Sequence, residues 1–406
     1  MTDITVRPAT ADDYPAMVRT FVDVVGQVAT DEDLQSVAGE FESERGWVAE
    51  ADGRIVGSAA AHAWQLVVPG GAGVSFAGLT LVAVLPSHHR RGVGTELMRH
   101  YAEDCRARGM VLGGLFSSDA GIYARFGFGV ATRMASIRID RERAHLAAPT
   151  TGRIEWLRLT YAQDTVREVF ERHRATSPGE IVRTNEFWRS LFARWSGAAA
   201  PRPAFVAMHY GADGVVDGYA VHRIDPAWVD HTANNTAYIM ELVGADTVRL
   251  ELWKFLLQLE GVHSVVDRNA RVDEPLPDVL ADGRQCKVSG IYDQLWLRIF
   301  DVEKAMTART YGHDGSVTFR VIDPRGADPA RTYALEVVDG VGRCVRSDAA
   351  ADVTLTPRAL ASTFLGDRSV RALAAASLVE VHDARAVARL DAMVAVEPKP
   401  QCLSLF

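Results

Sequence analysis

The 406-residue chain has only four cysteines, and Cys105, Cys286, Cys344 and Cys402 stand far apart. No C-x-x-C pair is present, and no histidine lies at metal-ligand spacing from any of them, which excludes a disulfide scaffold and a cysteine metal site. Reduced thiols of a cytoplasmic protein, with no bound metal, are the expectation. No run approaches the roughly 20 uninterrupted apolar residues of a membrane helix. The opening Met1-Thr2-Asp3-Ile4-Thr5-Val6-Arg7-Pro8 shows neither the basic leader nor the apolar segment of a secretory signal. Positive charge is in deficit: 44 Lys and Arg face 52 Asp and Glu, for a formal net charge of −8. That argues against a nucleic-acid binder, which needs clustered cations to meet phosphates, and is compatible with a small cationic partner. No Gly-Lys-Ser/Thr and no cluster of metal-binding carboxylates supports nucleotidyl or phosphoryl transfer. What remains is ordinary globular composition, 48% hydrophobic and 24% charged, in a chain long enough for two or three domains.

Strand and helix signals alternate through the first 150 residues. Ile4 to Arg7 predicts a short strand, and Thr10 can cap a helix whose apolar residues are Met17, Val18, Phe21 and Val24. A hairpin follows, Gly46–Glu50 and Arg54–His62 joined by Ala51-Asp52-Gly53, where glycine accepts positive φ without a Cβ clash. Leu79–Val84 is a strongly apolar strand. Helical periodicity then runs through Val93, Leu97, Met98, Tyr101 and Cys105 to Gly109, and Val111–Phe116 is the next strand. The pattern Ala51-Asp52-Gly53-x-x-x-Gly57-x-Ala59 returns as Ala212-Asp213-Gly214-x-x-x-Gly218-x-Ala220. A strand, Tyr238–Val243, and a helix through Leu250, Trp253 and Leu257 follow it at similar distance. A duplicated α/β fold is the expectation, the second copy being structural or wall-forming because Gly244-Ala245-Asp246-Thr247 replaces the basic glycine loop. After Leu295 come a helix over Phe300–Thr310, strands at Val317–Val321, Tyr333–Val337 and Asp352–Leu355, and a helical stretch opened by Thr356-Pro357. These predict a third, α+β domain ending in an apolar tail, Leu403-Ser404-Leu405-Phe406, whose approach Pro398 and Pro400 stiffen.

Two segments carry chemistry. In the first, Val82-Ala83-Val84-Leu85-Pro86-Ser87-His88-His89-Arg90-Arg91-Gly92-Val93-Gly94-Thr95, a strand ends, a basic glycine turn follows, and a helix begins. The N–H groups of such a turn and the positive end of its helix can surround a phosphate. A solvated basic turn ahead of an amphipathic helix is the competing reading. In the second, Ser118-Asp119-Ala120-Gly121-Ile122-Tyr123-Ala124-Arg125-Phe126-Gly127-Phe128, a tyrosine sits four residues ahead of Gly-Phe. It can serve as a proton donor, or simply pack a helix onto the sheet.

His89-Arg90-Arg91-Gly92-Val93-Gly94 resembles the pyrophosphate loop Gln/Arg-x-x-Gly-x-Gly/Ala of the GCN5-related N-acetyltransferase (GNAT) superfamily, with His at the first position. The resemblance implies that His89, Arg90, Arg91, Gly92, Val93, Gly94 and Thr95 hold the diphosphate of acetyl-CoA. It implies too that Val82, Ala83 and Val84 pair with the pantetheine arm. Tyr123 with Gly127-Phe128 fits the superfamily's general-acid segment, and Ser118 and Asp119 join the cofactor-binding set. Together with the degenerate second copy and the third domain, these motifs resemble the enhanced intracellular survival (Eis) acetyltransferases over essentially the whole chain, including Gly290-Ile291-Tyr292-Asp293-Gln294-Leu295-Trp296-Leu297-Arg298. The fold implied is α/β and α+β. A catalytic GNAT domain (1–150) and a degenerate one (151–294) precede a sterol-carrier-protein-like domain (295–406) whose terminal carboxylate, on Phe406, enters the active site as base. The family resemblance further implies a homohexamer and direct acetyl transfer to amines such as aminoglycosides, polyamines or lysine side chains; from the charge and the short apolar runs, no nucleic acid or membrane partner is expected. Asp23, Asp33 and Phe116 are candidate contacts for the amine, beside Asp31 and Glu32. Leu405 stands where aminoglycoside-acetylating members are expected to carry an acid. The alternatives are a non-catalytic acyl-CoA-binding or scaffold protein, and lipid carriage by the last domain.

Overall fold

The computed structural model describes residues 4–27, 45–147, 150–197, 200–326 and 328–406. Two compact units result: one joins the residues up to Ala131 with Leu295–Val396 and Ser404–Phe406, the other joins Thr132–Gln294 with Glu397–Leu403.

The first unit holds a seven-stranded sheet. Its leading elements are β1 (Thr5–Pro8), α1 (Tyr14–Val25), β2 (Gly46–Ala51), β3 (Arg54–Val67), β4 (Gly73–Val84), α2 (Val93–Ala107) and β5 (Leu112–Phe116). β1 to β4 are antiparallel neighbours, whereas β4 and β5 run parallel. A parallel pair needs a crossover, and α2 supplies it. The sheet is covered on both faces, so Gly46–Ala49 of β2 reads as a continuous apolar run rather than an alternation. Trp47, Ala49 and Ala51 pack with Leu97, Met98, Tyr101 and Cys105 of α2. Val48, between them in the pleat, packs with Tyr14, Met17 and Val18 of α1. Gly113 is glycine for space, since a Cβ there would collide with the Tyr101 hydroxyl, which donates to the Ala77 carbonyl at 2.8 Å.

The sheet is completed beyond β5 by Leu295–Ile299 and Gly129–Val130. The chain changes sheet between Gln294 and Leu295, where a break after 294 puts it, but the other change falls between Ala131 and Thr132 rather than at 150. Arg133–Asp140 lies in the second sheet, while Leu295–Ile299 returns to fill the gap beside β5. The reason is edge pairing, which leaves β5 no unpaired N–H and C=O row on that side. The last part of this unit is a five-stranded sheet with the helices Pro357–Phe364, Val370–Ala375 and Ala384–Val394, besides Val302–Ala308. Thr356 caps the first of these through the Ala359 N–H, with proline at its opening position, as the sequence predicts. Buried Arg309 donates to the Phe364 and Val394 carbonyls at the C-terminal ends of two of the helices, where a cation complements the helix dipole.

The second unit repeats the plan. Its sheet runs in the order Cys286–Asp293, Arg133–Asp140, Val262–Ala270, Asn235–Val243, Val216–Asp225, Ala204–Tyr210, Arg153–Arg158. The parallel pair Asn235–Val243 and Val262–Ala270 is joined by the helix Asp246–Gln258. Around it lie buried ion pairs, Arg183 with Glu241 and Arg249 with Glu274.

Four titratable groups, His222 and Asp267 buried and His62 and His173 half-buried, set an acid response. His62, His173 and His222 are held down at about 3, 4 and 4, chiefly because burial disfavours the charged ring. Burial pushes Asp267 the other way, up to about 7. An unfolded histidine takes up a proton near pH ~6.5. The histidine contribution is therefore complete above that pH and is lost as pH falls towards the folded values. Asp267 opposes this over the same range, because only the folded chain binds its proton there, and it offsets one histidine of the three. Thermal unfolding followed by circular dichroism should show the midpoint falling between pH ~6.5 and ~5; a midpoint that rises over that range contradicts the assignment.

Candidate active site

The site begins with a defect in β4. Leu81 has φ 50°, rare for a branched residue, and the β3–β4 register shifts between Ser58 and Ala60. This is a β-bulge, which bends a strand and re-aims the residues beyond it. It is held from both sides: the Ser58 hydroxyl donates to the Leu81 carbonyl at 2.8 Å, and the Leu81 side chain is buried against α1. Past the bulge lie Val82, Ala83 and Val84.

β4 and β5 then splay apart. They hydrogen-bond only where Phe76–Gly78 meets Leu112–Gly114, although β4 runs on to Val84 and β5 to Phe116. Past Gly78 one edge of β4 has no strand partner among the described residues, and its N–H and C=O groups can pair with an extended ligand. At the head of the splay the chain turns through Pro86–His88. Arg90 (φ 60°) and Gly92 (φ 84°) are both left-handed, and α2 then starts at Val93. Gly92 stands at the N-cap without a side-chain cap. The first-turn N–H groups of Val93, Gly94 and Thr95 therefore have no intrahelical acceptor, and the positive end of the dipole lies open. Arg90, Arg91 and Thr95 are exposed, whereas Val93 is buried and anchors the turn to the core. The exposed His89 ring reaches back to the strand, its Nε2 2.9 Å from the Val84 carbonyl, which ties the loop to the strand it leaves.

β5 ends at Phe116, and the next residues build the second motif. Ser118 and Asp119 are exposed, and the Asp119 carboxylate accepts from the Gly121 N–H at 2.9 Å as the N-cap of the short helix Ala120–Tyr123. That helix carries Tyr123, which is 7% exposed and packs edge-on against Phe128 at 6.2 Å. Burial, reinforced by the nearby Asp119 charge, pushes the phenol up to about 12.

The chain end lies in the same unit. The Phe406 ring meets Phe116 at 4.9 Å, Trp64 at 5.1 Å and Phe76 at 5.9 Å, all edge to face. His62 stacks on Trp64 at 4.2 Å. Register explains the pocket: Trp64 faces Phe76 across β3–β4, His62 faces Gly78, and Gly78 faces Gly114. A Cβ on Gly78 would lie 3.1 Å from the Phe406 ring, so that glycine leaves the hollow the terminal ring fills, whereas a Cβ on Gly114 would collide with the Phe76 ring.

Among the residues singled out in the sequence, the structure brings Phe116 to Phe406, His89 to Val84, and Asp119 to the helix of Tyr123. Asp23 is exposed near the end of α1. Asp31, Glu32 and Asp33 fall outside the described residues. Sequence reasoning missed the Ser58–Leu81 lock and the Trp64–Phe76–His62 wall. It missed too the Ser117 hydroxyl, which is buried without a hydrogen-bond partner just after β5. The alternation His62-x-Trp64 was the one local signal for the wall, and its meaning depends on strand register.

Comparison with known proteins agrees with this geometry. Residues 5–131 and 179–299 each match a family described as an acetyltransferase (GNAT) domain, and residues 302–403 match a sterol carrier protein domain. N-acetyltransferase Eis of Mycobacterium tuberculosis is 32% identical over 414 aligned residues, covering 97% of both chains. The chain belongs to the Eis family of N-acetyltransferases. The crystal structure of Eis1 from Mycobacterium abscessus superimposes with a TM-score of 0.86 at 30% identity, covering the whole of both chains. An uncharacterized N-acetyltransferase of Streptomyces griseus is 30% identical, covering 92% of this chain and 90% of that one. The tandem GNAT folds and the sterol-carrier-like domain expected from the sequence are thus present, and the protein is a GNAT-type acetyltransferase. Enzymes of this class use acetyl-CoA as substrate. No helix among the described residues is long and apolar enough to cross a membrane.

Proposed function

We propose that the chain transfers the acetyl group of acetyl-CoA directly to a primary amine, in the GNAT fold nearest its N-terminus. The carrying observation is the parting of β4 from β5 at Gly78 and Gly114, below an uncapped helix start. In this reading Gly92–Thr95 N–H groups, with Arg90 and Arg91, hold the diphosphate. The free edge at Val82–Val84 pairs with the pantetheine amides, and Ser118 and Asp119 border the same ligand.

The acceptor is a cationic amine of the aminoglycoside, polyamine or lysine type, with Phe116 against it and Asp23 and Asp33 as candidate carboxylates for its ammonium groups. It must lose a proton before its nitrogen can attack, and the Phe406 carboxylate takes that proton. The nitrogen lone pair then forms a bond to the thioester carbon, the C–S bond breaks, and the departing sulfur is met by the Tyr123 hydroxyl. Amide, coenzyme A thiol and one released proton balance the step. The acyl donor is already activated, so proximity, a proton acceptor and a donor suffice without a metal. The second GNAT fold acts as scaffold: its corresponding helix carries Asp246 in the first turn, ion-paired with Arg271 at 2.7 Å, and a carboxylate there opposes a diphosphate. Assembly into a homohexamer, as the family resemblance implies, is part of the proposal.

Isothermal titration calorimetry tests the reading. Acetyl-CoA should bind one site per chain. Gly92→Val, which forces a branched residue into left-handed backbone at a position open to solvent, should weaken binding about tenfold or more. Coenzyme A thiol release against polyamine, aminoglycoside and peptide-lysine acceptors then identifies the amine. A chain that ignores acetyl-CoA at millimolar concentration, or a Gly92→Val variant that binds it as well as the parent does, overturns the proposal.

A further inference from the structure

The second fold opens its sheet as the first does. Asn235–Val243 and Val262–Ala270 pair in parallel only as far as Ile239 and Asp267, although they run on to Val243 and Ala270. In the first fold the matching gap is the edge assigned above to the pantetheine arm. Here the chain's own tail is bound beside it. The Gln401 side chain donates to the backbone carbonyl of Asn269, just past the point where pairing stops. The Lys399 N–H donates to Asp273 at 2.7 Å, and the Gln401 N–H to the Pro178 carbonyl at 3.2 Å. A cleft of about 330 Å³ remains between Gly244 and Asp246 at the helix start and Lys399 and Leu403 on the tail.

Two buried side chains make the attachment specific. The Gln294 amide grips both backbone groups of one residue: its Oε1 accepts from the Cys402 N–H at 3.1 Å and its Nε2 donates to the Cys402 carbonyl at 2.6 Å. Thr132 and Asn269 hold the amide in that orientation. Glu180 accepts from the Leu403 N–H at 2.7 Å and faces the Cys402 thiol at 3.8 Å. Gln294, Glu180 and Cys402 are each at most 2% exposed. Side-chain to backbone pairing of this kind fixes a segment's path whatever its side chains are, as strand addition does. Leu403 is the last residue of this unit, and Ser404–Phe406 belongs to the unit that carries the aromatic hollow.

We infer that Pro398–Leu403 is a built-in ligand of the second GNAT cleft, and that Glu180 and Gln294 are positioning residues for the terminal carboxylate. The inference rests on the reading of Phe406 as proton acceptor. A chain end is ordinarily the most disordered part of a protein, and a base that samples many positions spends little time in line with the amine. Pinning the backbone three residues before the end removes most of that freedom in advance.

The test uses full-length Glu180→Ala, Gln294→Ala and Gln401→Ala, with Glu180→Gln as the conservative variant that keeps an acceptor oxygen for Leu403. Carboxypeptidase release of Phe406 should quicken about tenfold or more in the alanine variants. kcat for thiol release from acetyl-CoA with the amine panel should fall about tenfold, with acetyl-CoA affinity changed less than twofold. Glu180→Gln should restore most of both losses. If Gln294→Ala does not fold by circular dichroism, Gln401→Ala, on the tail itself, gives the same readout. Folded variants whose terminal residue is released no faster, and whose kcat is unchanged, overturn the inference. Deleting Phe406 separates the two readings. Intact turnover there removes the proton acceptor, whereas lost turnover there with unchanged Glu180→Ala and Gln294→Ala removes the positioning role alone.

Discussion

Tyr123→Phe should lower kcat about a hundredfold while acetyl-CoA binds as before, the usual scale for losing acid–base assistance. The substitution removes one oxygen and leaves the ring that packs against Phe128, so the fold has no reason to change. The effect belongs to the departing sulfur. A thiolate has a conjugate acid near pKa ~8.5 and an unperturbed phenol near ~10. Burial and Asp119 push Tyr123 up to about 12, which widens the gap. Full transfer in the ground state is therefore uphill, and the hydroxyl acts by donating a hydrogen bond that strengthens as charge builds on sulfur, with the proton following as the C–S bond breaks. A phenol with a raised pKa stays protonated, so Tyr123 produces no alkaline fall in kcat below about pH 11. Steady-state kinetics with saturating acetyl-CoA measure both points. Turnover within a factor of three of the parent chain would remove Tyr123 from the reaction, and a fall near pH ~9 that disappears in Tyr123→Phe would show the burial argument to be mistaken.

The parts of this site that the sequence discloses are those built by neighbours in the chain. Arg90 to Thr95 form turn, cap and helix start within six residues, and Gly92 needs its positive φ for reasons a local reading can supply. Tyr123 and its cap Asp119 are equally local. The copy at Ala212–Ala220 is legible because turn chemistry repeats where side-chain chemistry has drifted. What stays hidden is set by register and by distance along the chain. Trp64, Phe76 and Phe116 become one wall only when three strands are paired correctly, and a one-residue slip would turn all of them to the other face. Leu81 gives no sign in the sequence of its left-handed backbone, because a bulge is a property of two strands. The exchange of Arg133–Asp140 for Leu295–Ile299 between the sheets answers to edge pairing rather than to residue order. Glu180 and Gln294 are ordinary letters until the last residues of the chain are laid beside them.

Extending the chain beyond Phe406 should be as damaging as losing Tyr123. A short C-terminal tag leaves every side chain in place, yet it converts the terminal carboxylate to a neutral amide and pushes new residues into a hollow that the Phe406 ring already fills. The hollow is closed on three sides by aromatic rings and at its base by Gly78, where even one added carbon would come within 3.1 Å of that ring. A free α-carboxylate, with pKa near ~3.3–3.7, is a weak base in water against an ammonium near ~10. Its charge does two things: it attracts the ammonium group and it accepts the proton that the nitrogen releases. Both are lost with the charge, so the tagged chain should lose about a hundredfold in kcat for amine acceptors, with acetyl-CoA affinity unchanged because the diphosphate loop is untouched. Protease removal of the tag that regenerates a terminal phenylalanine should restore turnover. The design distinguishes charge from bulk: Phe406→Ala keeps a carboxylate while emptying the hollow. Turnover for that variant should fall between those of the tagged and parent chains, since a loosely held carboxylate can still accept a proton. If the tagged chain acetylates amines at the parent rate, the proton acceptor lies elsewhere, and His62, held neutral and stacked on Trp64 beside the same hollow, becomes the residue to replace next.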